Sequence, residues 1–131
     1  MFKAKTIMTK GVLTVTEQTP AYEAMRMLVE NNITGLPVVS PEGDLAGMVT
    51  EKDMLGLLYN PGQEPATVGQ MMSRDVVSFD ENADLADVCE CLIDHSFRRV
   101  PILANGKLAG IVSRSDIIKF ILSARKGKAG A

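Results

Sequence analysis

One phrase occurs twice in this chain, and that duplication restricts the possible folds more than anything else in it. Gly47-Met48-Val49-Thr50-Glu51-Lys52-Asp53 returns as Gly110-Ile111-Val112-Ser113-Arg114-Ser115-Asp116. Each copy is a glycine, two apolar residues, a hydroxyl residue, two polar residues and an aspartate, followed by apolar Met54 or Ile117. The pattern reads as a strand running straight into a helix. The surrounding chain repeats in step. Ala21, Ala24, Met25, Leu28 and Val29 fall at helical spacing on one face, and Leu85, Val88, Cys89, Leu92 and Ile93 follow 64 positions later, as 85 follows 21. Leu36-Pro37-Val38-Val39 and Val100-Pro101-Ile102-Leu103 keep that offset, whereas the glycine of the phrase returns after 63, as 110 follows 47. The lost residue falls in a turn. Ser40-Pro41-Glu42-Gly43-Asp44 is replaced by the tighter Asn105-Gly106, a two-residue hairpin signal. A deletion at a loop tip leaves a shared fold intact.

The intervening stretches complete a β-α-β-β-α unit in each copy. Val12 to Val15 reads as a short strand, answered by Val76 to Phe79. Thr19-Pro20 reads as an N-cap and first helical position, and Asn31-Asn32 as the end of that helix. Leu45 to Thr50 is the partner strand and Glu51 to Leu58 the second helix. Ile7-Met8-Thr9 is answered by Met71-Met72-Ser73. The expected organisation is a first repeat over 1–60, a Pro/Gly-rich linker over 61–67, a second repeat over 68–124 and a disordered tail over 125–131. The expected class is α/β (α+β). Two long repeats are too few for a solenoid. They are expected to pack about a pseudo-two-fold axis, each covering the other's apolar face, with a cleft between them.

Bulk composition removes several function classes. Fourteen basic and sixteen acidic residues in 131 give a net charge of −2, so neither nucleic acid nor an anionic membrane surface is an expected partner. No apolar run approaches the roughly 20 residues of a membrane span, and no signal peptide is evident, so a cytoplasmic location is expected. Cys89 and Cys91 are two apart in one helix, where their side chains diverge, which argues against a disulfide. Cys89 falls on the core face and Cys91 off it. The single histidine, His95, ends that helix and reads as structural. No nucleophile–base set, metal cluster or phosphate loop appears, so no enzyme and no catalytic cofactor are expected.

The repeated phrase carries the chemistry. Thr50-x-x-Asp53 and Ser113-x-x-Asp116 match a helix capping box, although aspartate is shorter than the usual Glu or Gln. They also suit a nucleotide. A carboxylate can accept from both vicinal ribose hydroxyls, and first-turn amides with a hydroxyl can hold phosphate oxygens. The second copy has Arg98-Arg99 where the first has Thr34-Gly35, and guanidinium forks suit phosphate. Arg114, in place of Glu51, reads as a solvated strand-end residue or ion-pair partner rather than a phosphate ligand.

Asn32-Ile33-Thr34-Gly35-Leu36-Pro37-Val38-Val39 with Gly47 to Asp53, and Phe97-Arg98-Arg99-Val100-Pro101-Ile102 with Gly110 to Asp116, together resemble a pair of CBS (cystathionine-β-synthase) domains, a Bateman module. The likeness runs from about Lys5 to Leu122. It implies regulatory binding of AMP, ADP or ATP, or of S-adenosylmethionine, in the cleft between repeats. By this resemblance Asp53 and Asp116 hold ribose hydroxyls, with Thr50 and Ser113 near ribose or phosphate. Leu13, Ile33 and Thr34 lie against adenine in one site, and Val77, Phe97 and Arg98 in the other. Arg98 and Arg99 reach the phosphate of the nucleotide anchored by Asp53. The resemblance also implies a homodimer through the Met54–Leu58 and Ile117–Ile121 helices, and a regulated protein that the sequence does not identify. The alternative is an interaction or dimerisation module with vestigial nucleotide sites.

Overall fold

A computed structural model describes residues 2–59 and 67–129, with side chains through residue 125. The elements run α1 (Ala4–Ile7), α2 (Ala21–Glu30), β1 (Gly35–Val39), β2 (Leu45–Thr50), α3 (Glu51–Leu55), β3 (Phe79–Asp80), α4 (Leu85–Asp94), β4 (Arg99–Ala104), β5 (Lys107–Ser113) and α5 (Arg114–Ala129), with 3-10 turns at Gly56–Tyr59 and Val68–Gln70. The mixed helix-and-strand class is the expected one. Of the expected linker, only Thr67 lies within the described residues, as an antiparallel bridge partner of Pro20.

The two hairpins superpose in register. β1 and β2 pair antiparallel from Gly35↔Thr50 to Val38↔Gly47, then slip before Val39↔Leu45. β4 and β5 pair from Arg99↔Ser113 to Ile102↔Gly110, then slip before Leu103↔Leu108. The one-residue deletion lies beyond the slip, so it changes no pairing near the phrase. Asn105 and Gly106 both have positive φ, 52° and 80°, as a type I′ hairpin turn requires.

Each hairpin is extended on both edges by isolated segments. Val15 forms a parallel bridge with Val38, and β3 pairs parallel with β4 at Phe79↔Ile102. The strand expected over Val12–Val15 is therefore a single bridge. A turn in which the Thr16 amide donates to Thr19 Oγ1 at 3.0 Å draws the chain away from β1. With its hydroxyl so engaged, Thr19 does not cap α2, and Pro20 takes that place.

On the opposite edge the segments cross over in sequence. Thr9 exchanges two hydrogen bonds with Ile111, at 2.8 and 3.0 Å, and Ser73 exchanges two with Met48, both 2.9 Å. They satisfy donors and acceptors that an open edge would leave unpaired. The compact units are thus Met1–Val12 with Val77–Ala131, and Leu13–Val76. These spatial units cut the chain differently from the sequence repeats. The phrase's glycines permit the arrangement. A Cβ on Gly47 would lie 2.5 Å from the Ser73 carbonyl oxygen, and one on Gly110 would lie 2.8 Å from that of Thr9.

Each unit buries its own core. Val15, Ala24, Leu28, Leu36, Val38, Val49, Val68 and Met72 cluster in one. Ala4, Leu85, Val88, Leu92, Val100, Ile102, Val112 and Ile117 cluster in the other. A fully buried Val, Leu or Ile contributes about 1.5–3 kcal/mol. The apolar stripe read along α2 and α4 is narrower than expected, because Val29 and Ile93 are 80% and 76% exposed. Eight residues along a helix turn the side chain about 80° off the starting face. α2 ends as expected at Asn31-Asn32. The Ile33 amide donates to Leu28 O and the Asn32 amide to Val29 O, with Asn32 at φ 51°, a Schellman closure.

Two further expectations change. α3 stops at Leu55 rather than Leu58, giving way to the turn at Gly56, a poor helix former. α5 continues to Ala129, into the stretch expected to be a tail, where alanine and lysine favour helix. Residues 130–131 fall outside the described residues. Among those described, no helix is long and apolar enough to cross a membrane.

Replacing Gly47 with alanine drives a methyl group into the Ser73 carbonyl, which is held in place by the Met48 amide. The expected cost is about 1–3 kcal/mol, read as a lower urea midpoint at unchanged slope. A midpoint equal to that of the unmodified chain would contradict the close approach.

Candidate functional site

The two strand-to-helix joints are built alike. At the first, the Thr50 amide donates to Asp53 Oδ2 at 2.8 Å, the Thr50 hydroxyl donates to the same oxygen at 3.1 Å, and the Asp53 amide donates to Thr50 Oγ1 at 3.4 Å. At the second, the Ser113 amide donates to Asp116 Oδ2 at 2.9 Å and the Asp116 amide to Ser113 Oγ at 3.1 Å. Both are reciprocal capping bonds, so aspartate does reach, despite being shorter than glutamate. The next amide is also engaged. Glu51 N–H donates to Thr34 O at 3.0 Å, and Arg114 N–H to Arg98 O at 3.1 Å. The first-turn amides expected to be free are therefore mostly taken. Among the described residues, only the Lys52 and Ser115 amides of each first turn remain without a protein acceptor.

The carboxylates differ in their second oxygen. Asp116 Oδ1 accepts from the Thr9 hydroxyl at 3.2 Å. Asp53 Oδ1 has no partner among the described residues. Beside the first joint, Thr34 Oγ1 is buried and unpartnered, the only such described side-chain atom. An unsatisfied buried hydroxyl costs about 1–3 kcal/mol, which a ligand that reaches it would recover.

The remaining expected site residues divide cleanly. Leu13, Ile33, Thr34, Thr50 and Asp53 all lie in the unit Leu13–Val76, and Val77, Phe97, Arg98, Arg99, Ser113 and Asp116 all lie in the other. Leu13 and Val77 are exposed apolar residues at equivalent positions. Ile33 and Phe97 are half-buried against their own cores. Phe97 also stacks on His95, ring centres 5.0 Å apart and 4° from parallel. Arg98 is exposed, and Arg99 is half-buried at the start of β4.

Arg114, expected as a solvated strand-end residue or ion-pair partner, takes a different role that the sequence did not reveal. Its guanidinium donates to the carbonyls of Leu92 and His95, both at 3.3 Å, closing the C-terminal end of α4. Thr9 was also missed as a partner of Asp116. The signal was present, since Met8-Thr9 and Met72-Ser73 correspond across the repeats. Cys91 packs against the core rather than off it. Burial, and next the Asp94 charge, push its thiol above the ordinary range, which opposes a reactive thiolate. Among the described residues, no three His, Cys, Asp or Glu side chains are grouped to hold a metal.

The family model for the CBS domain matches residues 4–60 and again 68–123, so the chain belongs to the CBS domain family, as a tandem pair. It is 34% identical over 139 residues to uncharacterized protein MJ1404 of Methanocaldococcus jannaschii, covering 95% of this chain and 33% of that one. The chain thus spans about a third of that relative's length. It is 30% identical over 123 residues to hypoxic response protein 1 of Mycobacterium tuberculosis, covering 92% of this chain and 86% of the relative. Among solved structures, CBSX2 in complex with AMP is 28% identical at a TM-score of 0.88, covering 95% of this chain and 99% of that one. The CBS domain pair of protein MJ0100, in complex with 5′-methylthioadenosine and S-adenosyl-L-methionine, is 25% identical at a TM-score of 0.77, covering 95% and 98%.

Raised above its ordinary value, the Cys91 thiol yields less thiolate at a given pH. It supports folding most at lower pH, and that support declines as pH rises through the folded value. In a Cys89→Ala variant, iodoacetamide at pH 8 should label Cys91 more slowly than a short peptide thiol. Faster labelling would contradict the assignment.

Proposed function

We propose that this chain is a regulatory module that senses an adenosyl nucleotide, with the ribose held by Asp53 in one unit and by Asp116 in the other. The observation that carries the reading is at the first joint, where a buried hydroxyl, Thr34 Oγ1, and a carboxylate oxygen, Asp53 Oδ1, both lack a partner among the described residues at the paired ends of β1 and β2. A vicinal diol supplies two donors to a carboxylate, and an adenine or ribose edge supplies a partner for a hydroxyl. The AMP and S-adenosyl-L-methionine complexes of similar CBS pairs support the same ligand class. Leu13, Ile33 and Thr34, with Val77, Phe97 and Arg98 as counterparts, provide the surface against which the base lies. Arg98 and Arg99 provide charge for phosphate. The module is not itself an enzyme. It works in the cytoplasm, where adenine nucleotides are abundant, and it reports to a partner protein.

The same reading includes a homodimer. Leu55, Leu58 and Tyr59 on one unit, and Ile118, Ile121 and Leu122 on the other, are exposed large apolar residues. Met54, Ile117 and Phe120, expected to share that surface, instead pack against their own cores. The remaining exposed set supports assembly through α3 with its following turn and through α5.

Thermal unfolding with AMP, ADP, ATP or S-adenosylmethionine should show a concentration-dependent rise in Tm. The stabilisation is about 2.7 kcal/mol at a ligand concentration roughly a hundred times Kd. The Asp53→Ala, Asp116→Ala double variant should lose that response while remaining folded. An unchanged response in the variant, or none in the parent chain, would refute nucleotide sensing and leave the pure interaction module.

Replacing Arg98 and Arg99 with alanine should weaken ATP and ADP more than adenosine. Equal losses for all three would remove the arginines from the phosphate site. Leu58→Glu with Ile121→Glu should halve the mass measured by light scattering. A parent chain that is monomeric at all concentrations would contradict the dimer.

A further inference from the structure

Thr9 and Ser73 occupy equivalent places. Each lies antiparallel across the glycine-containing strand of its unit, bonded to Ile111 or Met48 through both backbone groups. By that register each occupies the same position along the strand that leads into its joint, yet only the Thr9 side chain is bonded to the joint carboxylate. The Thr9 hydroxyl donates to Asp116 Oδ1 at 3.2 Å. Among the described residues, Ser73 makes no side-chain hydrogen bond to Asp53, and Asp53 Oδ1 stays open. The chemical difference is a methyl group. A β-branched threonine is restricted at χ1, whereas serine rotates among its wells at little cost. Threonine can therefore hold its hydroxyl on the carboxylate in a way that serine does not.

We propose that Thr9 is an internal competitor for Asp116, so that the two joints bind a ribose unequally and the Asp53 joint takes the first ligand. This rests on the reading that these carboxylates hold a ribose. Both capping oxygens, the Oδ2 atoms, are committed to backbone amides, so ligand recognition falls to the Oδ1 atoms. At Asp53 a ribose hydroxyl meets an oxygen without a protein donor. At Asp116 it must first displace the Thr9 hydroxyl. That bond is exposed, so its net strength is modest and the handicap is about three- to tenfold in Kd. The unpartnered Thr34 hydroxyl adds to the preference, since its counterpart position is Arg98. The module would then fill in two stages as nucleotide rises, and the residue at position 9 or 73 would set the gap between them.

Isothermal titration of the full chain with AMP tests this by reciprocal exchange. The parent chain should show a tighter and a weaker component. Asp53→Ala should remove the tighter one, and Asp116→Ala the weaker. Thr9→Val should tighten the weaker component about three- to tenfold, while Ser73→Thr should weaken the tighter one by a similar factor. Two equal components, loss of the tighter one in Asp116→Ala, or no movement with both exchanges would overturn the inference while leaving nucleotide sensing in place. An absence of heat with AMP, S-adenosylmethionine and ATP alike would overturn the underlying reading, and this inference with it.

Discussion

Two backbone crossings, one in each unit, complete the sheets on which the joints depend. Ser73 lies on β2 over Gly47, and Thr9 lies on β5 over Gly110, at separations that leave no room for a Cβ. Without those segments each hairpin would keep an open edge, with unpaired amides and carbonyls, beside the strand that leads into the phrase. With them, each sheet is bordered on both sides, by Val15 and Ser73 in one unit and by β3 and Thr9 in the other. The segments come from the neighbouring repeat in sequence, so neither repeat completes its own sheet. The glycine that permits the crossing, and the hydroxyl–aspartate pair that caps the helix, are parts of one phrase because they sit on consecutive turns of the same strand-to-helix path.

The capping role and the ligand role of the aspartates do not exclude each other. A carboxylate has two oxygens. One can close the helix start by accepting from a backbone amide, and the other can face outward. Capping fixes the side chain's orientation, so a hydroxyl binding the second oxygen does not have to order it. The same bonds exclude an alternative chemistry. With the amides next to Thr50 and Ser113 already bonded to Thr34 and Arg98 carbonyls, the helix starts have little left to offer a phosphate. In the proposed reading the charge for that group comes from Arg98 and Arg99, whereas the Arg114 guanidinium is bonded to the end of α4.

Much of this was legible in the chain. The duplication indicated the order of the main elements, the tighter turn of the second hairpin and the joints, because a repeat offset fixes correspondences that a single copy leaves open. The Asn105-Gly106 turn and the Asn31-Asn32 helix end followed from residues that tolerate positive φ. Hydrophobic spacing placed Leu28 and Leu92 correctly but overextended the stripe to Val29 and Ile93, since apolar character does not reveal how wide the covered face is. Three things were not legible. Val12–Val15 has strand composition, yet the Thr16–Thr19 turn limits it to one bridge, a local competition that propensity does not encode. The exchange of Thr9 and Ser73 between repeats is a long-range pairing with no local signature. The Arg114 bonds to α4 depend on a packing of helix end against helix start that spacing cannot supply.

The most direct measurement of the ribose-binding claim is a crystal structure of the chain grown with AMP. The expected density places both ribose hydroxyls within hydrogen-bond distance of Asp53, with the Thr34 hydroxyl newly partnered. Nucleotide bound elsewhere, with Asp53 Oδ1 facing only water, would contradict it.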